Sequence, residues 1–397
     1  MTDTPRTLVR RNPWPTGVSR PVVPPLQLSV VYASESPDEL DAQYQGRVQG
    51  YTYAREGHPN ADHLSHMIDG LEGAEGGLIL GSGMAAVSAV LLGLLKTGDH
   101  VLGGDQLYGR SLRLLTQDLA RFGIATSTAD STDVAAMAAA LRPETKLILV
   151  EVLANPTLRL ADMEGIATLA KARDITLMVD NTFTTPRGYR PLDHGADIVV
   201  HSVTKLLAGH ADVTLGYIAA KDPVQRKAIY DFAVTTGMTP SPFDCWLAER
   251  GLYSFSLRYD RAEENARKLA DHLATLRGVK RVIYPLRPDH PDHNRAAHLL
   301  GARGGNMVSF ELEGGRAAAN ALTRAMPEVA FAPTLGDIGT TLSHPASSSH
   351  RAVSPEARAA VGITEGFFRI SVGVEEIELL IEDFTRGVAA AATAAEG

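Results

Sequence analysis

From residue 61 onward, short apolar runs alternate with stretches in which apolar residues recur at helical spacing. The pattern predicts helices over 62–71, 85–95, 133–141 and 163–172. Between and after them it predicts strands over 77–80, 100–102, 147–152, 176–179, 197–200 and 214–219. Strand-helix alternation of this kind implies a mostly parallel sheet covered on both faces. Over 247–276 the rhythm gives way to long helical segments, followed by candidate strands at 280–284, 307–312 and 368–372 and an Ala-rich helix end over 387–397. The expected organisation is a large α/β domain over 61–255 and a smaller α/β domain over 256–397. Residues 1–60 carry Pro13, Pro15, Pro21, Pro24 and Pro25 with little periodicity, and read as an extended arm that wants a partner surface.

Composition narrows the class. At 397 residues, 44% hydrophobic and 21% charged, the chain has enough material for a large buried core. A formal net charge of -8 without long charge runs gives no electrostatic footprint for nucleic acid. The Met1–Arg6 start lacks the apolar core of a signal peptide and no 18-residue apolar stretch follows, so no membrane contact and a cytoplasmic location are expected. Cys245 is the single cysteine, which excludes an internal disulfide and a cysteine-rich metal site. His290, His293 and His298 lie in a Pro-rich stretch that reads as a solvated loop, and no metal is expected.

Two residues at strand ends carry the candidate chemistry. Lys205 follows the apolar run 197–200, and Asp180 ends the run 175–179. Pyridoxal phosphate requires this pair of groups: a lysine amine for its Schiff base and a carboxylate that keeps its ring nitrogen protonated. Parallel strands would bring both to the carboxyl edge of the sheet, where open α/β folds bind ligands. Only eight lysines occur in the chain, and Ser202 and Thr204 flank this one with hydroxyls suited to a phosphate. His210 and Asp212 are expected to brace the following loop. Upstream, Gly81-Ser82-Gly83-Met84-Ala85-Ala86 follows a strand and opens a helix, so its N–H groups suit a phosphate as well. The same glycines fit a dinucleotide fingerprint, with Asp105 as the acidic ribose partner, which makes a nicotinamide-dependent dehydrogenase the competing reading. That reading leaves Lys205 and Asp180 without a role.

With these residues in view, the chain resembles the Cys/Met-metabolism pyridoxal phosphate enzymes, the family of cystathionine γ-synthase, cystathionine γ-lyase and methionine γ-lyase. The resemblance runs through Tyr51–Arg55, Gly81–Ala86, Tyr108-Gly109, Asn155-Pro156-Thr157, Val179–Thr182, His201–Asp212, Ser241-Pro242 and Arg369–Gly373. It implies a fold of the aspartate aminotransferase type and a homotetramer built as a dimer of dimers. Backbone groups of Gly83 and Met84, with Ser202 and Thr204, would hold the phosphate, while Tyr53 and Arg55 would reach it from a neighbouring subunit. Tyr108 would stack on the ring and act as an acid or base, Asn155 would contact cofactor and substrate, and Arg369 with Thr334 would hold the substrate α-carboxylate.

The expected reaction is γ-elimination from an L-amino acid, giving a 2-oxo acid and ammonia. The alternative is γ-replacement by a thiol, with β-elimination third and a non-catalytic pyridoxal phosphate-binding protein as the reading from another class. Departures from the family pattern bear on this choice. His58-Pro59-Asn60 replaces Asn-Pro-Thr, Arg110 stands where methionine γ-lyases have Cys, and Ala233-Val234 replaces their Lys-Asp pair. Arg113 matches an arginine near the distal substrate carboxylate of cystathionine enzymes, yet Gly339 stands where those enzymes place Glu. Arg110 and Arg113 are therefore the candidate distal substrate residues.

Overall fold

The computed structural model describes residues 18–19, 21–351 and 353–396. Seven strands form the larger sheet: β1 (Leu78–Leu80), β2 (His100–Gly104), β3 (Ala125–Ala129), β4 (Thr145–Glu151), β5 (Thr176–Asp180), β6 (Ile198–Ser202) and β7 (Gly216–Ala220), in the order β1-β7-β6-β5-β4-β2-β3. Only β7 runs antiparallel to its neighbours. The apolar runs are long because helices cover both faces. Along β4, Ile148 and Val150 enter one core cluster while Leu147 and Leu149 enter the cluster on the opposite face.

A second sheet contains β8 (Val279–Ile283), β9 (Met307–Leu312), β10 (Ala330–Phe331), β11 (Thr341–Ser343) and β12 (Phe367–Ser371), in the order β10-β11-β12-β9-β8. It has its own core, in which Phe310 stacks on Phe368 at 5.6 Å and meets Phe384 edge-on. Helix Phe255–Leu273 leads from the large sheet towards this second one and turns Phe255 and Tyr259 to the first core, Leu269 and Leu273 to the second.

The elements absent from the sequence reading are those with weak apolar signal. Strand β3 is Ala-Thr-Ser-Thr-Ala at a half-exposed edge, and β11 is three residues long. In the expected arm, Pro13 and Pro15 lie outside the described residues. The rest is not wholly extended: Ser36 caps a helix over Pro37–Tyr44. Trp246 donates to the carbonyl of Pro24, and Gln27 donates its N–H to Asn60, so this segment runs along its own subunit first.

Two expectations are corrected by the topology. In a dinucleotide fold the glycine turn and the acidic residue end adjacent strands. Here the Gly81–Gly83 turn follows β1 and Asp105 follows β2, with β7, β6, β5 and β4 between them in the sheet, so at about 4.8 Å per strand one dinucleotide cannot use both. His290 is not a solvated loop residue: it is 5% exposed, with Nε2 on the Leu158 carbonyl at 2.9 Å and Nδ1 accepting from the Asp292 N–H. Burial accordingly holds its pKa below the usual histidine range.

Candidate active site

The carboxyl edge of the large sheet gathers the strand-end residues. Asp180 closes β5 and pairs in register with Val200 of β6, two residues before Ser202 and five before Lys205. Its Oδ1 accepts both the backbone N–H (3.0 Å) and the hydroxyl (2.6 Å) of Thr182, and the Thr182 hydroxyl oxygen in turn accepts the N–H of Ser202. Thr182 thus fixes the carboxylate and the end of β6 together. Burial raises the Asp180 carboxyl above the usual aspartate value, and the Thr182 bonds and nearby His201 offset this only in part. Behind this edge His201 pairs with Glu72, both fully buried, and Asn181 donates to the same Glu72 oxygen at 3.0 Å.

The glycine turn is pressed against β6. Helix Gly83–Leu94 starts after Ser82, whose Oγ accepts the Ala85 N–H at 3.0 Å. The first N–H groups, at Gly83 and Met84, have no acceptor inside the helix. A Cβ on Gly83 would sit 2.7 Å from Ser202 Cβ and 2.9 Å from its Oγ, so glycine is what lets these free N–H groups stand beside a hydroxyl. Thr204 lies close by in sequence, but its hydroxyl donates to the Leu215 carbonyl (3.2 Å) and accepts the Leu215 N–H (3.0 Å).

Lys205 is reached from the second sheet. Its Nζ lies 3.3 Å from Thr334 Oγ1, and burial together with the positive Arg369 holds the amine pKa below the usual lysine value. Arg369 on β12 donates to Asn155 Oδ1 at 2.6 Å and to the Thr334 carbonyl at 2.8 Å, with its Nε–H left without a partner. Burial lowers its pKa to about 10, so it remains a cation at neutral pH. Tyr108 precedes helix Gly109–Arg113 and is 40% exposed. The cluster therefore offers a lysine amine with a lowered pKa, a half-buried carboxylate, helix-start N–H groups beside a hydroxyl and a guanidinium with an unspent N–H. That donor set fits pyridoxal phosphate bearing an amino acid.

Other expected site residues stay apart from it. Arg55 lies over the Tyr53 ring at 5.4 Å and donates to the Val234 carbonyl at 3.4 Å; no described contact joins either residue to Ser202 or Lys205. Arg110 is exposed, and Arg113 faces Asp118 at 3.5 Å. A Cβ on Gly339 would have only Glu375 and Asp337 oxygens at 3.8 and 4.0 Å, so the position is open.

Three contributors escaped the sequence reading. Gly336, with φ +79°, approaches so closely that a Cβ would stand 2.5 Å from Leu206 N and 2.8 Å from Lys205 C. Arg258 donates to the carbonyls of Leu206 and Leu207 and to Gly251, gripping the turn after Lys205. Glu151 ends β4 in register with Asp180 and accepts the Tyr108 N–H. It carries the signal that singled out Asp180, a carboxylate closing an apolar run. Nothing local in sequence marks the other two.

An open, mostly parallel sheet with a lysine and a carboxylate at its carboxyl edge, and a second α/β unit closing over the lysine, defines a pyridoxal phosphate-dependent transferase-like fold of the aspartate aminotransferase type. Residues 7–389 match the model of the Cys/Met metabolism PLP-dependent enzyme family, and the chain belongs to that family. It is 37% identical to L-methionine gamma-lyase of Pseudomonas putida over 94% of this chain and 93% of that one. Its identity to cystathionine beta-lyase MetC of Bacillus subtilis is 39%, over 96% and 95% of the two chains. Among solved structures, cystathionine gamma synthase of Xanthomonas oryzae pv. oryzae superposes with a TM-score of 0.89, at 37% identity and 94% coverage of both chains. A Campylobacter jejuni protein solved with N'-pyridoxyl-lysine-5'-monophosphate superposes with a TM-score of 0.90 at 26% identity, covering 95% of this chain and 97% of that one. The protein is thus a pyridoxal phosphate-dependent enzyme of sulfur amino acid metabolism, within a family whose members carry out elimination or replacement. No described helix is long and apolar enough to cross a membrane.

Proposed function

We propose that the enzyme catalyses γ-elimination from an L-amino acid with a γ-leaving group, releasing a 2-oxo acid and ammonia. The observation that carries this reading is that Thr334 touches both the Lys205 amine and the Arg369 guanidinium, which supports their use as base and carboxylate receptor. Gly83 and Met84 N–H groups and the Ser202 hydroxyl hold the cofactor phosphate. Thr204 joins them only by turning its hydroxyl away from Leu215. Asp180 would hold the ring nitrogen as its ion-pair partner, and Tyr108 would cover the ring.

When bound, pyridoxal phosphate supplies the electron sink that makes deprotonation next to the amino-acid nitrogen feasible. Arg369 and Asn155 receive the substrate α-carboxylate and fix the Cα–H towards Lys205. Lys205, its amine pKa lowered by burial and by Arg369, would remove the α-proton, hand it on to the cofactor side and, neutral again, take one from the β-carbon as the bond to the γ-substituent breaks. Tyr108 gives a proton to the departing γ-substituent. Arg110 and Arg113 lie on the helix that follows Tyr108 and supply positive charge for an anionic far end of the substrate.

The second reading is γ-replacement, favoured by the 0.89 superposition on a cystathionine gamma synthase. Incubating the holoenzyme with O-acylhomoserine, methionine or cystathionine, with and without a thiol, separates the two. Elimination yields 2-oxobutyrate and ammonia without thiol; replacement yields a thioether only when thiol is present. Pyruvate from cystathionine would move the assignment to β-elimination, the activity named for the Bacillus subtilis relative.

Tyr53 and Arg55, unconnected to the Lys205 cluster of their own chain, act from a neighbouring subunit in a dimer of dimers, and the enzyme works in the cytoplasm. Sedimentation analysis checks the assembly, and mixing Arg55→Ala with Lys205→Ala protein checks the shared site. A mixed dimer that regains one intact site restores activity, whereas sites built within one chain would not.

A further inference from the structure

The sheet edge holds two carboxylates where the proposed chemistry uses one. Glu151 and Asp180 end neighbouring parallel strands at the same register position, each half-buried. Two ionised carboxylates so placed repel each other, and one keeps its proton. Burial raises both carboxyls, and Glu151 is pushed further up by the negative Asp180. Asp180 has the compensations Glu151 lacks, with both Thr182 donors on Oδ1 and His201 nearby. Glu151 has one described donor, the backbone N–H of Tyr108.

That bond ties the end of β4 to the Tyr108 segment, next to the Thr157–Gln106 hydrogen bond between the same two parts. Tyr108 starts a five-residue helix whose next residue, Gly109, lies against the Ser349 carbonyl, where a Cβ would stand 2.9 Å away. The segment is gripped from the second unit on one side and by Glu151 on the other. We propose that Glu151 is a positioning residue that sets Tyr108 relative to Asp180, serving as an uncharged acceptor for the Tyr108 N–H while leaving the negative charge at this edge to Asp180. The inference rests on the ring-facing roles proposed for Asp180 and Tyr108. A neutral acid here has a chemical purpose. A second negative charge beside the ring nitrogen would lower the electron demand of the ring, whereas a neutral acceptor holds the tyrosine without that effect.

The neutral state makes a sharp demand on variants. Glutamine keeps an oxygen for the Tyr108 N–H and carries no charge, so Glu151→Gln must behave as wild type. Glu151→Ala leaves the N–H without its partner and must release Tyr108. Each protein, with Asp180→Asn as a control, is reconstituted with pyridoxal phosphate. The readouts are visible circular dichroism of the lysine-linked chromophore, cofactor affinity by fluorescence titration, and kcat with KM. Wild type and Glu151→Gln should agree within about twofold in all of them. Glu151→Ala should lose most of the dichroic band and fall about tenfold in kcat, at nearly unchanged KM, as expected when one positioning hydrogen bond is removed.

Glu151→Gln losses matching those of Glu151→Ala would overturn the neutral-acceptor assignment, because charge would then be what matters. Wild-type behaviour of Glu151→Ala would overturn the positioning role. Should Glu151→Ala fail to fold, Glu151→Met, which fills the same space without an oxygen for the Tyr108 N–H, takes its place with the same two outcomes. Asp180→Asn with an unaltered chromophore would instead remove the underlying reading of Asp180, an outcome distinct from either failure at Glu151.

Discussion

The two ends of the cleft are built differently. At the cofactor end, Asp180, Ser202 and Lys205 are fixed by adjacent strands, a shared Thr182 and a helix start pressed to within a Cβ of β6. At the distal end, Arg110 and Arg113 stand exposed on a five-residue helix, and position 339 is an open glycine. Rigid packing at one end and solvent at the other teach that the strand-end residues are held by the sheet, whereas Arg110 and Arg113, proposed to meet the far end of the substrate, stand on an exposed helix.

The sharpest way to break this contrast is at Lys205. Lys205→Ala should lose about 10⁴-fold in turnover, the upper range for a missing general acid-base, and lose the lysine-linked absorbance band. The same residue carries a pH signature without cofactor. Its folded-state pKa lies below that of the unfolded chain, so the native state penalises the proton at neutral pH and the penalty vanishes as pH rises past the ordinary lysine value of 10.5. Apo Lys205→Met should therefore unfold at a higher temperature than wild type near pH 7, with the gap closing towards alkaline pH.

Next in size is Arg369→Ala, expected to reduce kcat/KM about 10²- to 10³-fold, as for truncation of a buried charged partner. Steady-state kinetics against the corresponding amine lacking the carboxylate checks it, since that analogue should not discriminate variant from wild type. Gly83→Ala follows: overlap with Ser202 should weaken cofactor affinity about tenfold, in line with the cost of forced overpacking. Fluorescence titration of the apoenzyme measures it. The smallest effect belongs to the distal end. Arg110→Ala and Arg113→Ala should each change kcat/KM for a substrate with an uncharged far end by less than about threefold, the scale of exposed charges. A substrate with a distal carboxylate should lose more; equal losses for both substrates would show the two ends to be coupled after all.

The same contrast explains what the sequence disclosed. Asp180 and Lys205 were legible because each closes an apolar run whose length and β-branched composition define a buried strand, and strand ends place side chains predictably. Glu151 carried the same mark unused. Strands β3 and β11 lack it: β3 is Ala-Thr-Ser-Thr-Ala at a half-exposed edge, and β11 is buried but carries a single large apolar residue, Leu342. The histidine at 290 was misjudged because nearby prolines suggest exposure, while its burial depends on Leu158, a contact 132 positions away. Gly336 and Arg258 act on the Lys205 turn from distant parts of the chain, and no local pattern encodes such an approach.

Gly336 has a consequence for how this protein could be rebuilt. Its backbone lies against the peptide joining Lys205 to Leu206, so the two sheets meet at the lysine without a side chain between them. The halves are not interchangeable modules: a chimera that takes its second unit from elsewhere must keep a glycine at 336, however well the remaining surfaces match.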